Sequence, residues 1–507
     1  MVLRVTNQAQ QATALRNIFR ITEDLFRANE RIATGKRVNA PSDDPSAIRD
    51  SLALKTSIQR SKQFQRNITS NRVFLQSADS ALETITVSLT RARELGLQAL
   101  AGTDTAETRS FAAIELNNLL SQALQAANTK VKNQFLFSGT RLRTEPFLLT
   151  AGSGVVYQGN TERYQVEIAE NQLVPLTLPG SEMLAADMNP ALSLNTQLSD
   201  LNAGAGVPAG TFSITDRAGN TANITVTAGQ TINDVINSIN ASGLNLTASL
   251  NSSRTGLLLT DTSTVITGAL TVSDPAGSTT AQALGLAARV DGNIQGKDLD
   301  PRLTASTLIT DLNGGQGLSL GSVNVVNGAA SATISLSTAV TVGDILNTFN
   351  TAGLNVNARI NSRGNALELD STTATTTAVV REVGGGTTAE VLGLGGAGNV
   401  FIAFTKLQQA LSRDDNFGIL ASLDALETTI VNLSDARAEL GSISRRLDLS
   451  EDIHENDVVI QTEQLSEAED TDLVREASNV AQLEFALEAT LNTTARILQP
   501  SLLDFLR

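Results

Sequence analysis

Residues 68–99 read ITSNRVFLQSADSALETITVSLTRARELGLQA. Ile68, Leu75, Leu82 and Leu89 recur every seven residues. Ala78, Ile85, Ala92 and Ala99 fall between them at the alternate three–four step. A seven-residue apolar repeat keeps one seam of a helix turned towards a partner helix. Near the other end of the chain, Leu426, Leu433, Leu440 and Leu447 share this interval, with Leu423 and Ile430 at the alternate position. Ile18, Leu25 and Ile32 repeat it near the start. Val480, Leu483, Leu487, Leu491 and Leu498 form a stripe at helical spacing near the end. Any one stripe fits an ordinary amphipathic helix on a globular core. Their restriction to the two ends, with different material between them, favours helices paired across the length of the chain.

That intervening material, residues 146–399, is dominated by Gly, Thr, Ser, Asn, Ala and Val, a strand-and-turn composition. The ends are rich in Leu, Ala, Gln and charged residues, a helical composition. The fold expected is multidomain: an α-helical, coiled-coil-like hairpin built from both termini, with a mainly-β and α+β middle inserted. The expected divisions are 1–45 and 465–507 as a terminal domain, 46–145 and 400–464 as a helical core domain, and 146–193 as a short β segment. Two inserted modules, 194–295 and 296–399, complete the chain. Charge follows this division, with net +7 over residues 1–150 and net −12 over 400–507. Opposite signs favour register between the two ends, or with neighbouring subunits; solvated helix faces are the plainer reading.

Helix breaks are legible. In ATGKRVNAPSDDP (33–45), Gly35 ends the first helix, since glycine accepts the left-handed cap. Pro41 and Asp43 belong to the turn. Asp44 caps the next helix, with Pro45 at its first position, where a missing N–H costs nothing. Gly102-Thr103-Asp104 makes a similar break before a helical run at about 111–129.

The middle contains a repeat. TINDVINSINASGLNLTASLN (231–251) aligns without a gap on TVGDILNTFNTAGLNVNARIN (341–361). LSDLNAG (198–204) meets ITDLNGG (309–315), and ALGL (283–286) meets VLGL (391–394). Two copies are too few for a solenoid, and each is long enough to be a small domain. Strands are expected at 212–214, 257–259 and 323–325, with short helices opened by Thr231 and Thr341 and ended by Gly243 and Gly353.

The chain has 507 residues, a net charge of −15, no Cys, no Trp and one His. Absence of Cys removes disulfides, thiolate zinc sites and cysteine nucleophiles. One His leaves no multi-histidine metal site. Net acidity without a basic tract disfavours nucleic acid. Residues 1–30 show no secretory signal, and no stretch approaches the length of a transmembrane helix. The expectation is therefore cytoplasm, or export by another route. Gly393–Gly398 fits G-x-G-x-x-G formally but lacks the following strand with its acid. His454, in EDIHE, is expected on a solvated helix surface. Asp43 and Asp44 read as a cap and a turn. No constellation supports an enzyme, a cofactor or a metal.

The terminal blocks resemble the flagellin family. ATGKRVNAPSDDP (33–45) is similar to that family's segment between its first two helices. RARELGLQAL (91–100) resembles the arginine-bearing helix that follows, and 469–506 resembles the C-terminal helix. PSDDP (41–45), NQFLFSGT (133–140), the stretch 155–184 and LLDFL (502–506) resemble junction members of the family more than filament subunits. The resemblance implies export of the unfolded chain through the flagellar type III apparatus to an extracellular flagellum. It implies hook-associated protein 1, flagellin, further copies of the chain and an export chaperone as partners, with no nucleic acid and no membrane insertion. The expected assembly interface is Ile18, Leu25, Ile32, Leu75, Leu82, Leu89, Leu426, Leu433, Leu440, Leu483, Leu487, Leu491 and Leu498. A filament subunit and a surface adhesin acting through the middle modules are the alternative readings.

Overall fold

A computed structural model describes residues 7–101, 105–150, 154–395 and 398–498. Three helices come first, α1 (Asn7–Thr34), α2 (Pro45–Ala99) and α3 (Ala106–Ala127). Three small hairpins follow: β1 (Lys130–Val131) with β2 (Gln134–Phe135), β3 (Phe147–Thr150) with β4 (Gly154–Tyr157), and β5 (Gln165–Ala169) with β6 (Gln172–Pro175). Next come β7 (Gly210–Thr215), β8 (Thr221–Val226), α4 (Ile232–Asn240), β9 (Leu246–Leu250), β10 (Leu257–Asp261), β11 (Leu270–Ser273), α5 (Thr280–Ala283), β12 (Ala288–Val290) and β13 (Ile294–Gln295). After the single turn α6 (Leu312–Gly315) come β14 (Ser322–Asn327), β15 (Ala330–Ser335), α7 (Val342–Asn350), β16 (Val356–Ile360), β17 (Leu367–Ser371), β18 (Ala378–Glu382) and α8 (Thr388–Val391). Helices α9 (Val400–Ser412), α10 (Asn416–Glu469) and α11 (Leu473–Leu498) complete the described chain. Helical ends thus flank a mostly-β middle.

Two compact units emerge. One comprises the described residues up to Ser70, 167–173 and those from Arg446 onward. The other comprises 71–166 and 174–445. The divisions fall inside α2 and α10, each of which runs unbroken through its division.

In the first unit α1 packs against α11. Ile58, Phe64, Ile68 and Leu447 are buried there. His454 is buried too, which corrects the expectation of a solvated side chain. Its ring stacks on Phe64 with centroids 5.2 Å apart, and its Nε2 lies 2.7 Å from the Ile168 carbonyl. Phe64 and Ile168 supply that cover, which no local pattern around His454 announces.

The second unit has a helical part and a β-rich part. Leu75, Leu82, Leu89, Leu426, Leu433 and Leu440 are all buried, and α3 packs on α9. Gly96 lets neighbours close in, since a Cβ there would lie 2.7 Å from Leu423 Cδ2 and 3.3 Å from Leu407 Cδ2. Arg437 grips Asp79 through Nε and Nη2, at 2.8 and 3.3 Å. Phe147 joins the β3–β4 hairpin to α9, with ring centroids 5.4 Å from Tyr157 and 5.1 Å from Phe401.

The rest of this unit holds two apolar clusters. One gathers Phe212, Ile214, Val235, Ile239, Leu257 and Leu259. The other gathers Val323, Val325, Ile345, Phe349, Leu367 and Leu369. Around the first, strands run β12-β11-β7-β8 and β13-β10-β9; around the second, β15-β14-β18 and β16-β17. Thr231 and Asp234 cap α4 reciprocally, as Thr341 and Asp344 cap α7. Such a box satisfies two orphan donors at once. Asn240 brackets Ala248 with a donated and an accepted hydrogen bond, as Asn350 brackets Ala358. Among the described residues, no strands match β12 and β13 in the second half, where the chain passes from α8 towards α9 instead.

Candidate functional site

The two bends meet in the first unit. Gly35 has φ +70° and ends α1. Asp43 accepts the Asn39 and Ala40 N–H groups at 3.1 and 2.8 Å, closing the turn. Asp44 Oδ1 accepts from Ser46 N–H at 3.2 Å and Ala47 N–H at 3.0 Å, with Pro45 as the first residue of α2. Pro41, exposed in the same turn, follows the last of these backbone anchors. The other bend mirrors this arrangement: Asp472 accepts from Val474 and Arg475 N–H at 3.0 and 3.1 Å and caps α11. Both carboxylates that cap a helix satisfy donors left over by the first turn.

Glu469 joins the bends. Its buried carboxylate accepts from Lys36, Ser51 and Lys55. Main chain reinforces the contact, as Arg37 N–H donates to the Glu469 carbonyl at 2.7 Å and Thr471 N–H to the Gly35 carbonyl at 2.9 Å. Burial pushes the Glu469 carboxyl upward, but the hydrogen bonds from Lys36, Lys55 and Ser51 outweigh it and hold it at about 2. The same contact raises the Lys36 ammonium. Arg31 and Glu476 pair at 3.5 Å beside this clasp. Basic residues come from the first end and acidic ones from the last, the sense of the charge division along the chain. Ser51 and Lys55 belong to no legible motif, and Glu469 opens the stretch 469–506 without being singled out in it; the opposition of charge is what hints at all three.

The thirteen residues of the expected assembly interface separate into classes. Leu75, Leu82, Leu89, Leu426, Leu433 and Leu440 are consumed in the core of the chain itself, which corrects their reading as a surface for neighbours. A seven-residue seam marks a partner helix without saying whose helix it is, and here the partner is intramolecular. Ile18, Leu25, Ile32, Leu483 and Leu487 are half-buried on the α1–α11 pair, and Leu491 is exposed. The Leu498 side chain lies outside the described residues, as do Gly102-Thr103-Asp104, part of Gly393–Gly398 and LLDFL.

Three aromatic side chains missed by the leucine pattern are left open on α1 and α11. Phe19 and Phe26 are each 71 % exposed on α1, and Phe485 is 75 % exposed on α11. Phe19 and Phe26 repeat the seven-residue interval one position after Ile18 and Leu25, a second stripe visible in the sequence. Leu15 on α1 and Leu473 and Val474 on α11 are exposed as well. Large exposed apolar patches mark interaction sites.

Elsewhere the chemistry is closed. A cavity of about 280 Å³ lies beside Arg359, Asp370 and Lys406. Arg359 pairs with Glu368 and Asp370 at 2.7 Å each, and Lys406 pairs with Asp370 at 3.1 Å. Among the described residues, no cluster of His, Asp and Glu is arranged to hold a metal. No described helix is long and apolar enough to cross a membrane.

Comparison with known proteins points to the same elements. Residues 5–141 match the bacterial flagellin N-terminal helical region, and residues 423–506 match the bacterial flagellin C-terminal helical region. Flagellar hook-associated protein 3 of Escherichia coli (strain K12) is 28% identical over 177 residues, 34% of this chain and 54% of that protein. The flagellar filament 30.7 kDa core protein of Treponema maltophilum is 27% identical over 139 residues, 27% of this chain and 47% of that protein. The chain spans about half the length of the curated relatives it matches. Among solved structures, flagellar hook-associated protein-3 from Legionella pneumophila aligns over 82% of this chain and 98% of its own, with TM-score 0.38 and 16% identity.

Proposed function

The chain carries the two helical regions of bacterial flagellin at its ends, and from that premise we propose that it is a structural subunit of the flagellum, placed at the junction of hook and filament. The observation that carries the reading is the open aromatic surface of Phe19, Phe26 and Phe485, on helices inside both matched regions. A monomer has nothing to bury that surface against; an axial assembly does. Burying one such side chain is worth roughly 1.5–3 kcal/mol before ordering entropy is subtracted. Three per subunit drive one-way addition without another energy source. The contact is head-to-tail, so it propagates along an axis.

In this role the chain passes unfolded through the flagellar type III apparatus with an export chaperone. It then docks on hook-associated protein 1 outside the cell and receives the first flagellin. The clasp at Glu469 sets the bend between each terminal helix and the long helix before or after it. The β-rich middle is two copies of one α+β module, inserted between the helical arms of a hairpin and taking no part in the polymer contacts. The role is mechanical and needs no cofactor.

Deleting the gene and examining cells by electron microscopy, and medium by blotting for flagellin, tests the reading. Bare hooks with abundant flagellin monomer in the medium are expected. Bare hooks with no flagellin in the medium make the chain a filament subunit instead, a reading that the match to the Treponema filament protein favours. Intact filaments on normal hooks overturn both.

A further inference from the structure

Asp187-Met188-Asn189-Pro190-Ala191-Leu192 and Asp298-Leu299-Asp300-Pro301-Arg302-Leu303 share a pattern and a conformation. Asp187 Oδ1 accepts from Asn189 N–H at 2.9 Å, and Asp298 Oδ1 from Asp300 N–H at 2.9 Å. Asn189 and Asp300 both take positive φ, 38° and 43°. Each stretch leads into one of the two apolar clusters. Leu192 N–H donates to the Arg254 carbonyl of the first, and Leu303 N–H to the Gly364 carbonyl of the second.

Before that entry, each connector is held by the opposite half. In the first connector, Ala191 N–H donates to the Asp311 carbonyl at 2.6 Å, while Asn313 and Gly314 N–H donate to the Met188 and Asn189 carbonyls at 2.8 Å each. In the second, Arg302 N–H donates to the Asp200 carbonyl at 2.8 Å, while Asn202 and Ala203 N–H donate to Leu299 and Asp300 at 2.6 and 2.8 Å. A fourth bond completes each set: Met188 N–H to Asn365 at 2.8 Å, and Leu299 N–H to Thr255 at 2.9 Å. Four bonds on one side correspond to four on the other, donor for donor.

Two ion pairs obey the same exchange from different sequence positions. Arg254 Nη2 donates to Asp311 at 2.6 Å, and Arg302 Nε donates to Asp200 at 2.9 Å. The two aspartates are equivalent, but the arginines are not. Arg254 stands where the second half has Gly364, and Arg302 stands where the first half has Ala191. The small residues make room: a Cβ on Gly364 would lie 2.7 Å from Arg302 Cβ, and one on Gly315 would lie 3.3 Å from Ala191 Cβ. A guanidinium therefore reaches the same place in each half, although it departs from a turn in one case and from a connector in the other. Main-chain pairing duplicated in this way, with an ion pair rebuilt from another position, is a self-complementary contact of the two-fold kind.

We propose that each module carries a docking surface for a second copy of itself, and that the two copies are interlocked through their exchanged connectors into one cooperative body. This rests on the reading of the middle as two copies of one module. Its consequence is reciprocal: a change in one copy weakens the other. Amide hydrogen exchange on the full chain reads this directly, since protection reports local opening. Asp311→Ala lies in the second copy, yet exchange in β7–β10 of the first should rise about tenfold together with that in β14–β17. Asp200→Ala should do the converse. Exchange raised only in the copy that carries the substitution overturns the interlock. Should Asp311→Ala fail to fold, Arg254→Asp combined with Asp311→Arg should restore protection in both copies, and restoration in neither overturns the interlock as well. In the unmodified protein, protection patterns over 210–261 and 322–371 should correspond strand for strand. Patterns that do not correspond overturn the module reading, and the interlock with it.

Discussion

Glu469 shows how much one side chain can concentrate. Three donors, one from a bend and two from α2, converge on a carboxylate that local sequence does not distinguish from its many acidic neighbours. Because its carboxyl is held at about 2, its contribution to stability is complete above the unfolded carboxylate range near 4.3. It is lost as pH falls from about 4.5 towards 2. Comparing urea unfolding of the natural protein and Glu469→Gln across that window isolates this group from the other carboxylates. The variant should be weaker by roughly 1–2 kcal/mol at pH 7, a modest figure because both lysines are about half exposed. The difference should vanish near pH 2. Gly96 makes the converse case, where the missing side chain is what counts. Gly96→Val should cost about 1–3 kcal/mol by overpacking against Leu407 and Leu423. An unchanged urea midpoint would show that the helices do not approach there.

At the scale of elements, the same heptad spacing serves two ends. On α2 and α10 it builds the core: Leu433→Ala should lower stability by about 2–5 kcal/mol, measured by urea unfolding of the monomer. On α1 and α11 it leaves aromatic surface open. Phe19→Ser with Phe485→Ser should keep monomer stability within about 0.5 kcal/mol per substitution and abolish incorporation into flagella. Normal incorporation of that secreted variant would sink the assembly proposal. The contrast is one of burial, and spacing alone cannot express it.

At the scale of the molecule, the stretch 194–399 is bonded to the C-terminal helical arm through its second half. Thr377 N–H donates to Asp415 at 2.8 Å, Arg413 donates to the Thr376 carbonyl at 2.6 Å, and Arg381 pairs with Asp424 at 2.8 Å. Removing 194–399 should spare filament attachment, as seen by electron microscopy. It should still lower the thermal stability of the remaining chain, by about 1–3 kcal/mol for each buried group left without a partner. Lys406, buried against the Leu369 carbonyl and Asp370, is the foremost of these.

The sequence by itself determined the helical ends, the bend at Gly35, the capping of α2 by Asp44 behind Pro45, and the strands and capped helices of the middle. Each of these follows from periodicity, a positive φ or a cap, all of which act within a few residues of the chain. Tertiary structure alone decided that the leucines of the seven-residue repeats on α2 and α10 are spent inside the molecule while Phe19, Phe26 and Phe485 are not. It also decided that His454 is covered by Phe64 and Ile168, and that Glu469 answers Lys36. Those outcomes depend on which surfaces meet across hundreds of residues. Desolvation and ion pairing have no period along a chain, so nothing in the local pattern announces them.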